Sequence, residues 1–305
     1  MRKIKLGVSA LEVPVVAVGC MRLNSLNPSQ AETFIQTALD LGAYFFDHAD
    51  VYGDGACEEL FARAIHMNDS VRENIILQSK CGIRRNMYDF SKEHILAAVD
   101  GSLRRLQTDY LDILLLHRPD ALVEPDEVAG AFDVLQASGK VRHFGVSNHK
   151  PMQIELLRKF LHQPIVANQL QLSIAHATMI SNGINVNMDN SSALDRDGSV
   201  LDYCRLRDIT IQPWSPFLHG FFGGVFLESD KFPALNAKID EIAGRYQVSN
   251  TTIAIAWLLR HPAKMQPVIG TMNLERLKAS VKAAEITLSR EEWYEIYLAA
   301  GNELP

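Results

Sequence analysis

The sequence contains little cysteine. Its 305 residues include only four cysteines, too few for a disulfide framework to hold a chain of this length. Their spacing does not match that of metal-binding cysteine pairs, and we find no metal-ligand pattern elsewhere. We therefore expect reduced thiols, as in a cytoplasmic protein, and no metal site. The four are Cys20, Cys57, Cys81 and Cys204.

The sequence also lacks a long apolar run and an excess of positive charge. No stretch reaches the length that a membrane-spanning helix needs, so we expect no membrane partner. The net charge of −6 and the pI of about 5.9 argue against nucleic acid as the main partner. Residues 1–5 indicate the start of a strand, not a signal peptide with a long apolar core.

Two features of other architectures are missing as well. No G-x-G-x-x-G stands after the first apolar run, which argues against a doubly wound open sheet, the alternative architecture for this chain. No linker rich in glycine or serine and no change in composition divides the sequence. We therefore predict one domain over residues 1–305.

What the sequence does contain is a regular alternation of short apolar runs and amphipathic stretches. This alternation is typical of a parallel sheet with connecting helices, and eight such units predict an α/β fold, the (β/α)8 or TIM barrel. We also predict an N-terminal hairpin, residues 4–6 with 12–14, at the bottom of the barrel. The predicted strands are 15–19, 43–47, 74–80, 111–116, 141–146, 165–169, 209–212 and 267–269; the predicted helices lie near 29–41, 57–66, 126–138, 151–161, 199–207, 249–260 and 273–283, with two more beginning after Ser91 and at Ser289.

Three successive strands deliver ionisable side chains at their ends. The second predicted strand ends at Asp47, with Tyr52 five residues later, the third ends at Lys80, and the fourth runs into His117. Because the carboxyl ends of the strands of a parallel barrel meet at one mouth, these side chains should share one pocket. Each of them alone has an ordinary structural explanation, but their joint position at consecutive strand ends indicates an active site.

Two stretches depart from the simple pattern. Residues 173–198 are too long and too polar for an ordinary strand-to-helix loop. The segment 217–231 holds Phe217, Phe221, Phe222 and Phe226 together with glycines. It is interpreted either as a flap over a ligand or as a surface loop that tucks its aromatic side chains into the rim.

Several motifs now identify a family that the chain resembles. The stretch Phe46-Asp47-His48-Ala49-Asp50-Val51-Tyr52-Gly53 resembles the D-T-A-x-x-Y-G signature of the aldo-keto reductases, with His48 in place of the usual Thr. The resemblance covers essentially the whole chain, in the order and at the spacing of the family, and is greatest to bacterial reductases with a G-x-M-R turn. The other motifs are Gly19-Cys20-Met21-Arg22, Ser79-Lys80, Leu116-His117-Arg118-Pro119-Asp120, Gly145-Val146-Ser147-Asn148, Asn168-Gln169, Trp214-Ser215-Pro216 and Gly270-Thr271.

The resemblance implies NADPH-dependent reduction of aldehydes or ketones by a tetrad of Asp47, Tyr52, Lys80 and His117. The residue types suit this chemistry. Negative charge grows on the carbonyl oxygen as hydride arrives, and Tyr52 can donate a proton there. A neighbouring ammonium, Lys80, would stabilise the phenolate and lower its pKa, with Asp47 holding Lys80 charged. His117 would orient the carbonyl.

The resemblance also implies a site for NADP(H). Ser147, Asn148 and Gln169 would bind the nicotinamide carboxamide, Trp214 would stack on its ring, and backbone N–H groups of the loop after Trp214 would hold the pyrophosphate. Arg276, in the first turn of the last-but-one predicted helix, would meet the 2′-phosphate. The expected cofactor-binding residues are Gly19, Cys20, Met21, Asp47, Ser147, Asn148, Gln169, Trp214, Ser215, Pro216, Phe217, Leu218, Gly220, Gly270, Thr271, Met272, Arg276 and Ser280.

The sequence departs from the family at this end of the site. The family often has Lys where Gly270 stands, and Glu and Asn where Ala279 and Ser280 stand. The prediction of NADP(H) over NAD(H) thus depends mainly on Arg276, and NAD(H) stays possible.

Other functions stay open at this point. A non-catalytic nucleotide sensor would bind the same cofactor, although it would need neither Tyr52 nor His117. A metal hydrolase is disfavoured, because His117 has no companion ligands at metal-binding spacing. The substrate and the oligomeric state are not fixed by the sequence. An apolar rim of Met21, Tyr52, Trp214 and Phe217 would favour small aromatic or aliphatic carbonyls.

Overall fold

Eight short parallel strands close into a barrel in the computed structural model, which describes residues 1–221 and 223–305. Their order around the barrel is the order of the chain, with the last strand pairing to the first, so the prediction of a (β/α)8 barrel is confirmed. The strands of the chain are β1 (Lys3–Lys5), β2 (Glu12–Pro14), β3 (Ala17–Gly19), β4 (Phe45–Asp47), β5 (Ile76–Cys81), β6 (Ile83–Arg84), β7 (Met87–Tyr88), β8 (Leu111–Leu116), β9 (Val141–Ser147), β10 (Ile165–Gln171), β11 (Thr210–Trp214) and β12 (Val268–Ile269), of which β3–β5 and β8–β12 form the barrel.

At least one helix follows each barrel strand, as parallel neighbours require a crossover connection. Most bounds agree with the predicted ones to within three residues. The predicted caps are also present, since Asn27 accepts from the Gln30 N–H and Ser289 forms a capping box with Glu292. The helices are α1 (Pro28–Asp40), α2 (Ala56–Ala64), α3 (Asp69–Glu73), α4 (Lys92–Leu106), α5 (Pro125–Ala137), α6 (Pro151–Arg158), α7 (Thr178–Ile184), α8 (Val200–Leu206), α9 (Pro233–Tyr246), α10 (Asn250–Arg260), α11 (Leu274–Lys282) and α12 (Arg290–Ala299).

The predicted N-terminal hairpin covers the amino end of the barrel. Strands β1 and β2 pair antiparallel. Leu6 and Val13 of this hairpin region are buried in a small hydrophobic cluster with residues of the barrel strands, such as Ala17, Phe45 and Ile76, which lie at or near the amino-terminal ends of their strands. Gly7 makes this close approach possible. It has a positive φ of 54°, and a Cβ atom there would lie 2.4 Å from the carbonyl oxygen of Val166.

The long polar stretch 173–198 packs on the end of the chain. It contains α7 and a short 3-10 turn, Ser191–Ala193. The Tyr297 hydroxyl donates to Ser181 Oγ at 2.9 Å, and Asn190 Nδ2 donates to Glu303 at 3.1 Å. The stretch is thus a structured insertion that holds the C-terminal segment. Among the described residues, no helix is long and apolar enough to cross a membrane.

Candidate active site

The tetrad residues come from neighbouring strand ends. Asp47 is the last residue of β4, Lys80 lies one residue before the end of β5, and His117 follows β8 directly. Tyr52 stands in a 3-10 turn between β4 and α2. Because β4, β5 and β8 are consecutive parallel strands of the barrel, their carboxyl ends bring all four residues to one mouth.

Lys80 is the centre of the group. Its Nζ lies 2.8 Å from both carboxylate oxygens of Asp47, 2.8 Å from the carbonyl oxygen of His48 and 3.1 Å from the Tyr52 hydroxyl. Lys80 is fully buried and Asp47 is 2% exposed. The His117 ring stands nearly perpendicular to the Tyr52 ring, with 5.9 Å between their centres. A carbonyl oxygen placed between these two rings would meet both a phenol and an imidazole.

Burial and charge set the protonation states of the group. Burial raises the pKa of Tyr52 above 10 and outweighs the opposing effect of Lys80, so the phenol is protonated at neutral pH. Burial alone would lower the pKa of Lys80, but the charge of Asp47 and the hydrogen bonds to Asp47 and Tyr52 raise it overall. Burial lowers the pKa of His117 well below 6.5, and Lys80 and Arg118 lower it further, so its ring is neutral.

A network of glutamine amides lies beneath the tetrad, inside the barrel. Asp47 Oδ1 accepts from Gln78 Nε2 at 2.6 Å and from Gln169 Nε2 at 3.1 Å, in addition to Lys80. Gln78 exchanges hydrogen bonds with Gln212, and Gln212 Nε2 donates to Gln266 at 2.8 Å.

The last amide of the network reaches the hairpin. Gln266 Nε2 donates to the carbonyl oxygen of Pro14 in β2 at 2.7 Å. Gln78, Gln212 and Gln266 are fully buried. A chain of buried amides therefore runs from Asp47 to the opposite end of the barrel, and each of its links is a hydrogen bond.

A cavity of about 800 Å³ opens above the tetrad. Tyr52 and His117 line it, and so do Thr271, three residues before α11, and Arg276 in the first turn of that helix. Its volume lies in the range of small-molecule and cofactor sites. Among residues 1–221 and 223–305 no cluster of His, Cys, Asp and Glu could hold a metal ion.

Comparison with known proteins gives the family of the chain. The aldo/keto reductase family profile matches residues 15–299. The chain belongs to the aldo-keto reductase family. It is therefore an NAD(P)H-dependent oxidoreductase, a member of a family that acts on small-molecule carbonyl compounds.

The aldo-keto reductase matches several curated relatives over nearly their full length. It is 37% identical to the uncharacterized oxidoreductase YcsN of Bacillus subtilis, with 97% of each chain covered, and 35% identical to the oxidoreductase YdhF of Escherichia coli, with 94% of each covered. It is 33% identical to a 6-dehydroglucose reductase of Agrobacterium fabrum, with 96% of this chain and 97% of the relative covered.

A solved structure shares the fold. A thermostable aldo-keto reductase, Tm1743, solved with the inhibitor epalrestat, superposes with a TM-score of 0.78 at 26% identity. The match covers 98% of this chain and 100% of that one.

Most of the expected cofactor-binding residues of the reductase line the cavity. Three do not: Cys20 is 1% exposed, Gly220 lies beyond the lining, and Ser280 is fully buried, with its hydroxyl donating to the Arg276 carbonyl at 2.8 Å. Lys80 also lies below the surface of the cavity. The expected residues that do line it are Gly19, Met21, Asp47, Ser147, Asn148, Gln169, Trp214, Ser215, Pro216, Phe217, Leu218, Gly270, Thr271, Met272 and Arg276.

Hydrogen bonds already arrange the residues expected at the nicotinamide. Asn148 donates through Nδ2 to Ser147 Oγ at 2.7 Å and accepts from Trp214 Nε1 at 3.0 Å, so these three side chains form one unit. The amide nitrogen of Gln169 turns away to Asp47 and Gln212. Only the amide oxygen of Gln169 is therefore left for a ligand in the cavity.

The segment after β11 forms a small two-stranded turn beside the cavity. Leu218 pairs with Val225, and the Phe226 N–H donates to the Phe217 carbonyl at 3.0 Å. Phe226 is buried, whereas Phe221 is 64% exposed and lines the cavity. Phe222 lies outside the described residues. The buried Phe226 fits the interpretation of a loop that tucks aromatic side chains into the rim, and Phe221 lies at the cavity; a flap over a ligand stays a prediction.

His48, which replaces the usual Thr of the signature, faces away from the tetrad. Its ring packs edge-on against Phe61, and neither ring nitrogen has a hydrogen-bond partner among the described residues. Burial, with the charge of Lys80, lowers its pKa to about 3. His48 therefore touches the tetrad through its backbone carbonyl, which accepts from Lys80, and not through its imidazole.

Sequence reasoning missed part of the lining. Arg118 lines the cavity and follows His117 directly in the motif Leu116-His117-Arg118-Pro119-Asp120, which was a usable signal. Ile83 and Tyr88 belong to the small hairpin β6–β7, whose pairing brings it over the mouth. Arg22 also lines the cavity, and its Nη1 lies 3.5 Å from the Gly270 carbonyl oxygen. Phe221, Val225, Leu227 and Glu228 of the segment 217–231 also line the cavity, as do Asn250, Thr251, Val268 and Asn273, which were not predicted.

Proposed function

We propose that residues 1–305 act as one catalytic domain that reduces aldehydes and ketones to alcohols with NADPH. The observation that carries this proposal is the position of Lys80 Nζ, which is hydrogen-bonded to both Asp47 and the Tyr52 hydroxyl beneath a large cavity. A buried ammonium between a carboxylate and a phenol is the arrangement that a phenolic proton donor needs.

In the proposed reaction, bound NADPH supplies hydride to the carbonyl carbon. Tyr52 donates its proton to the carbonyl oxygen as negative charge grows there, and it becomes a phenolate. The ammonium of Lys80, 3.1 Å from that oxygen, stabilises the phenolate charge. Asp47 keeps Lys80 protonated and aimed at Tyr52. Neutral His117 donates a hydrogen bond that orients the carbonyl.

The residues present fit such a cofactor. Trp214, held by its hydrogen bond to Asn148, offers an aromatic face at the tetrad end of the cavity. The Phe217 N–H has no hydrogen-bond partner among the described residues, and it is free to meet a pyrophosphate oxygen. The Leu218 N–H, expected to do the same, already donates to the Ser215 carbonyl at 3.0 Å.

Two arginines support NADP(H) over NAD(H). Arg276 stands in the first turn of α11, where Asn273 caps the helix and Thr271 lines the cavity. A helix N-terminus with a guanidinium suits a phosphate group. Arg22 lies beside Gly270, so a cation stands close to the position where the family often has Lys. The 2′-phosphate would meet Arg276.

A steady-state assay tests the proposal and separates a reductase from a nucleotide sensor. Purified protein is mixed with 4-nitrobenzaldehyde and with NADPH or NADH, and cofactor oxidation and alcohol formation are measured together. We expect equimolar oxidation and alcohol formation with a lower KM for NADPH. Saturable NADPH binding without turnover of any carbonyl in a broad panel would support the sensor and contradict the proposal.

A further inference from the structure

Arg118 stands out among the arginines near the site. It lies half-buried in the cavity wall, directly after His117, and its guanidinium carbon is 5.7 Å from the ring centres of both Trp214 and Phe221. A guanidinium stays charged at any pH that a protein tolerates, and the two rings shield it from part of the solvent.

Among the described residues, no acidic group pairs with this charge. Two other arginines of the reductase, one buried and one half-buried, meet carboxylates: Arg72 pairs with Asp112 at 2.7 Å, and Arg105 pairs with Glu58 at 2.8 Å. Arg118 makes no hydrogen bond or ion pair with residues 1–221 or 223–305. A shielded charge without a counter-ion is costly unless a ligand supplies one.

The described cavity lining carries more cations than free acids, with Arg22, Arg118 and Arg276 on the positive side. Asp47 is already bound by Lys80. Glu228 is the remaining acid of the described lining, and it accepts from Asn250 at 3.5 Å. The protein as a whole carries a net charge of −6. Because the protein as a whole is acidic, its overall field does not attract anions. A positive pocket therefore indicates that a negatively charged ligand binds at this one place.

We propose that Arg118 binds an anionic group on the substrate, so that the preferred substrates are aldehydes or ketones that also carry a carboxylate. This inference rests on the proposed function. A carbonyl placed between Tyr52 and His117 would extend its other substituent along the wall that Arg118 forms with Trp214. The guanidinium fork matches a carboxylate with two parallel hydrogen bonds. With Arg118 in its wall, the cavity is not lined by apolar side chains alone, in contrast to the expectation from the sequence.

Matched substrates test the charge preference. The kcat/KM for 4-carboxybenzaldehyde is compared with that for its methyl ester, and succinic semialdehyde is compared with butanal, all with saturating NADPH. We expect the wild type to prefer the carboxylate in each pair. Arg118→Met should lower the carboxylate-to-neutral ratio by roughly ten- to a hundredfold, the size of a charge-assisted hydrogen bond. Arg118→Lys should fall between the two, because it keeps the charge but loses the fork.

Controls separate this claim from the alternatives. Arg63→Met, on the exposed face of α2, should behave as wild type. If Arg118→Met lowered kcat/KM equally for both members of each pair, Arg118 would only support Trp214. If it raised the Kd for NADPH, Arg118 would serve the cofactor. Either result overturns the inference. Wild-type turnover of the neutral aldehydes without charge preference overturns the inference alone, whereas no turnover of any aldehyde overturns the proposed function itself.

Discussion

The floor and the rim of the cavity are built in opposite ways. On the floor, Asp47, Lys80 and the amides of Gln78 and Gln212 are buried, and each is hydrogen-bonded to the next. On the rim, Met21 and Phe221 are largely exposed, and Arg118 has no polar partner among the described residues. The polar groups of the floor have their hydrogen-bond partners without a ligand, whereas Arg118 on the rim has no such partner among the described residues.

This difference separates the chemistry from the choice of ligand. A floor of satisfied hydrogen bonds holds Tyr52, the proposed proton donor, in one geometry, which is the condition for catalysis by preorganised groups. The cations of the rim have no carboxylate partner among the described residues, and we expect a cofactor and a substrate to supply their counter-charges. Changes to the floor should therefore lower kcat, and changes to the rim should alter KM and selectivity.

The largest effect is expected from Tyr52→Phe, which removes the hydroxyl that Lys80 of the floor meets at 3.1 Å. The variant keeps the ring but loses the proton donor, so kcat should fall by about 10²–10⁴-fold while NADPH still binds. Stopped-flow kinetics and a binding titration measure the two quantities. A near-normal kcat with a good substrate would show that Tyr52 is not the acid.

Next comes Arg276→Ala, at the cofactor end of the rim. Loss of a charge-assisted hydrogen bond to the 2′-phosphate should raise the Kd for NADPH by roughly ten- to a hundredfold and leave NADH nearly unchanged. Titrations with both cofactors check this. An equal loss for both would mean that Arg276 supports the fold, and a wild type that prefers NADH would overturn the NADP(H) assignment.

A smaller effect is expected from Gln78→Leu, which removes one donor from Asp47 Oδ1. Asp47 should then hold Lys80 less firmly, and kcat should fall by roughly tenfold with the Kd for NADPH unchanged. Gln266→Leu is the matched control, because Gln266 lies at the far end of the same network. It should lower the thermal midpoint but not kcat. If both variants lowered kcat equally, the network would act only through stability.

Trp214→Ala tests the aromatic face of the rim. Stacking on the nicotinamide should make NADPH quench tryptophan emission strongly in the wild type, and the variant should lose most of that quenching. Trp257 and Trp293 stack on each other in the core, 4.8 Å between ring centres and at most 8% exposed. Quenching that survived in the variant would come from that pair and would remove Trp214 from the site.

The smallest effect is expected from pH. The pKa of His117 lies well below 6.5 and that of Tyr52 above 10, so both keep their reactive protonation states near neutrality. Hence kcat with a neutral aldehyde and saturating NADPH should stay nearly constant between about pH 6 and 8. Asp50, whose pKa burial raises to about 7, does not line the cavity. A break near pH 6.5 that vanished in His117→Gln would mean that the imidazole is charged.

The strand ends of the fold were predictable because a parallel barrel places every carboxyl end at one mouth. The sequence therefore led directly to Asp47, Lys80 and His117 as neighbours. Helix α9 went unpredicted, although Leu235, Ile239 and Ile242 are buried at helical spacing. Pro233 stands at the first position of that helix, where proline is common, and was a usable signal for its start.

The direction in which a side chain points could not be predicted from the sequence. Ser280 lies four residues after Arg276 in α11, and its hydroxyl bonds back to that residue's carbonyl, away from the cavity. The glutamine network was hidden for another reason. Its members come from distant parts of the chain, and only the closure of the barrel brings Gln78 to Gln212. Even so, glutamines within apolar strand runs were a usable signal.

Isotope transfer is the most direct test of the central claim that the floor delivers a proton while hydride moves to a carbonyl. The reductase is given 4-nitrobenzaldehyde with NADPH deuterated on either face of nicotinamide C4, and the alcohol is analysed by mass spectrometry. We expect one deuterium on the carbinol carbon from one face only, with the rate of its appearance reduced about 10²–10⁴-fold in Tyr52→Phe. An alcohol without deuterium from either face, or an equal rate in Tyr52→Phe, would contradict the claim.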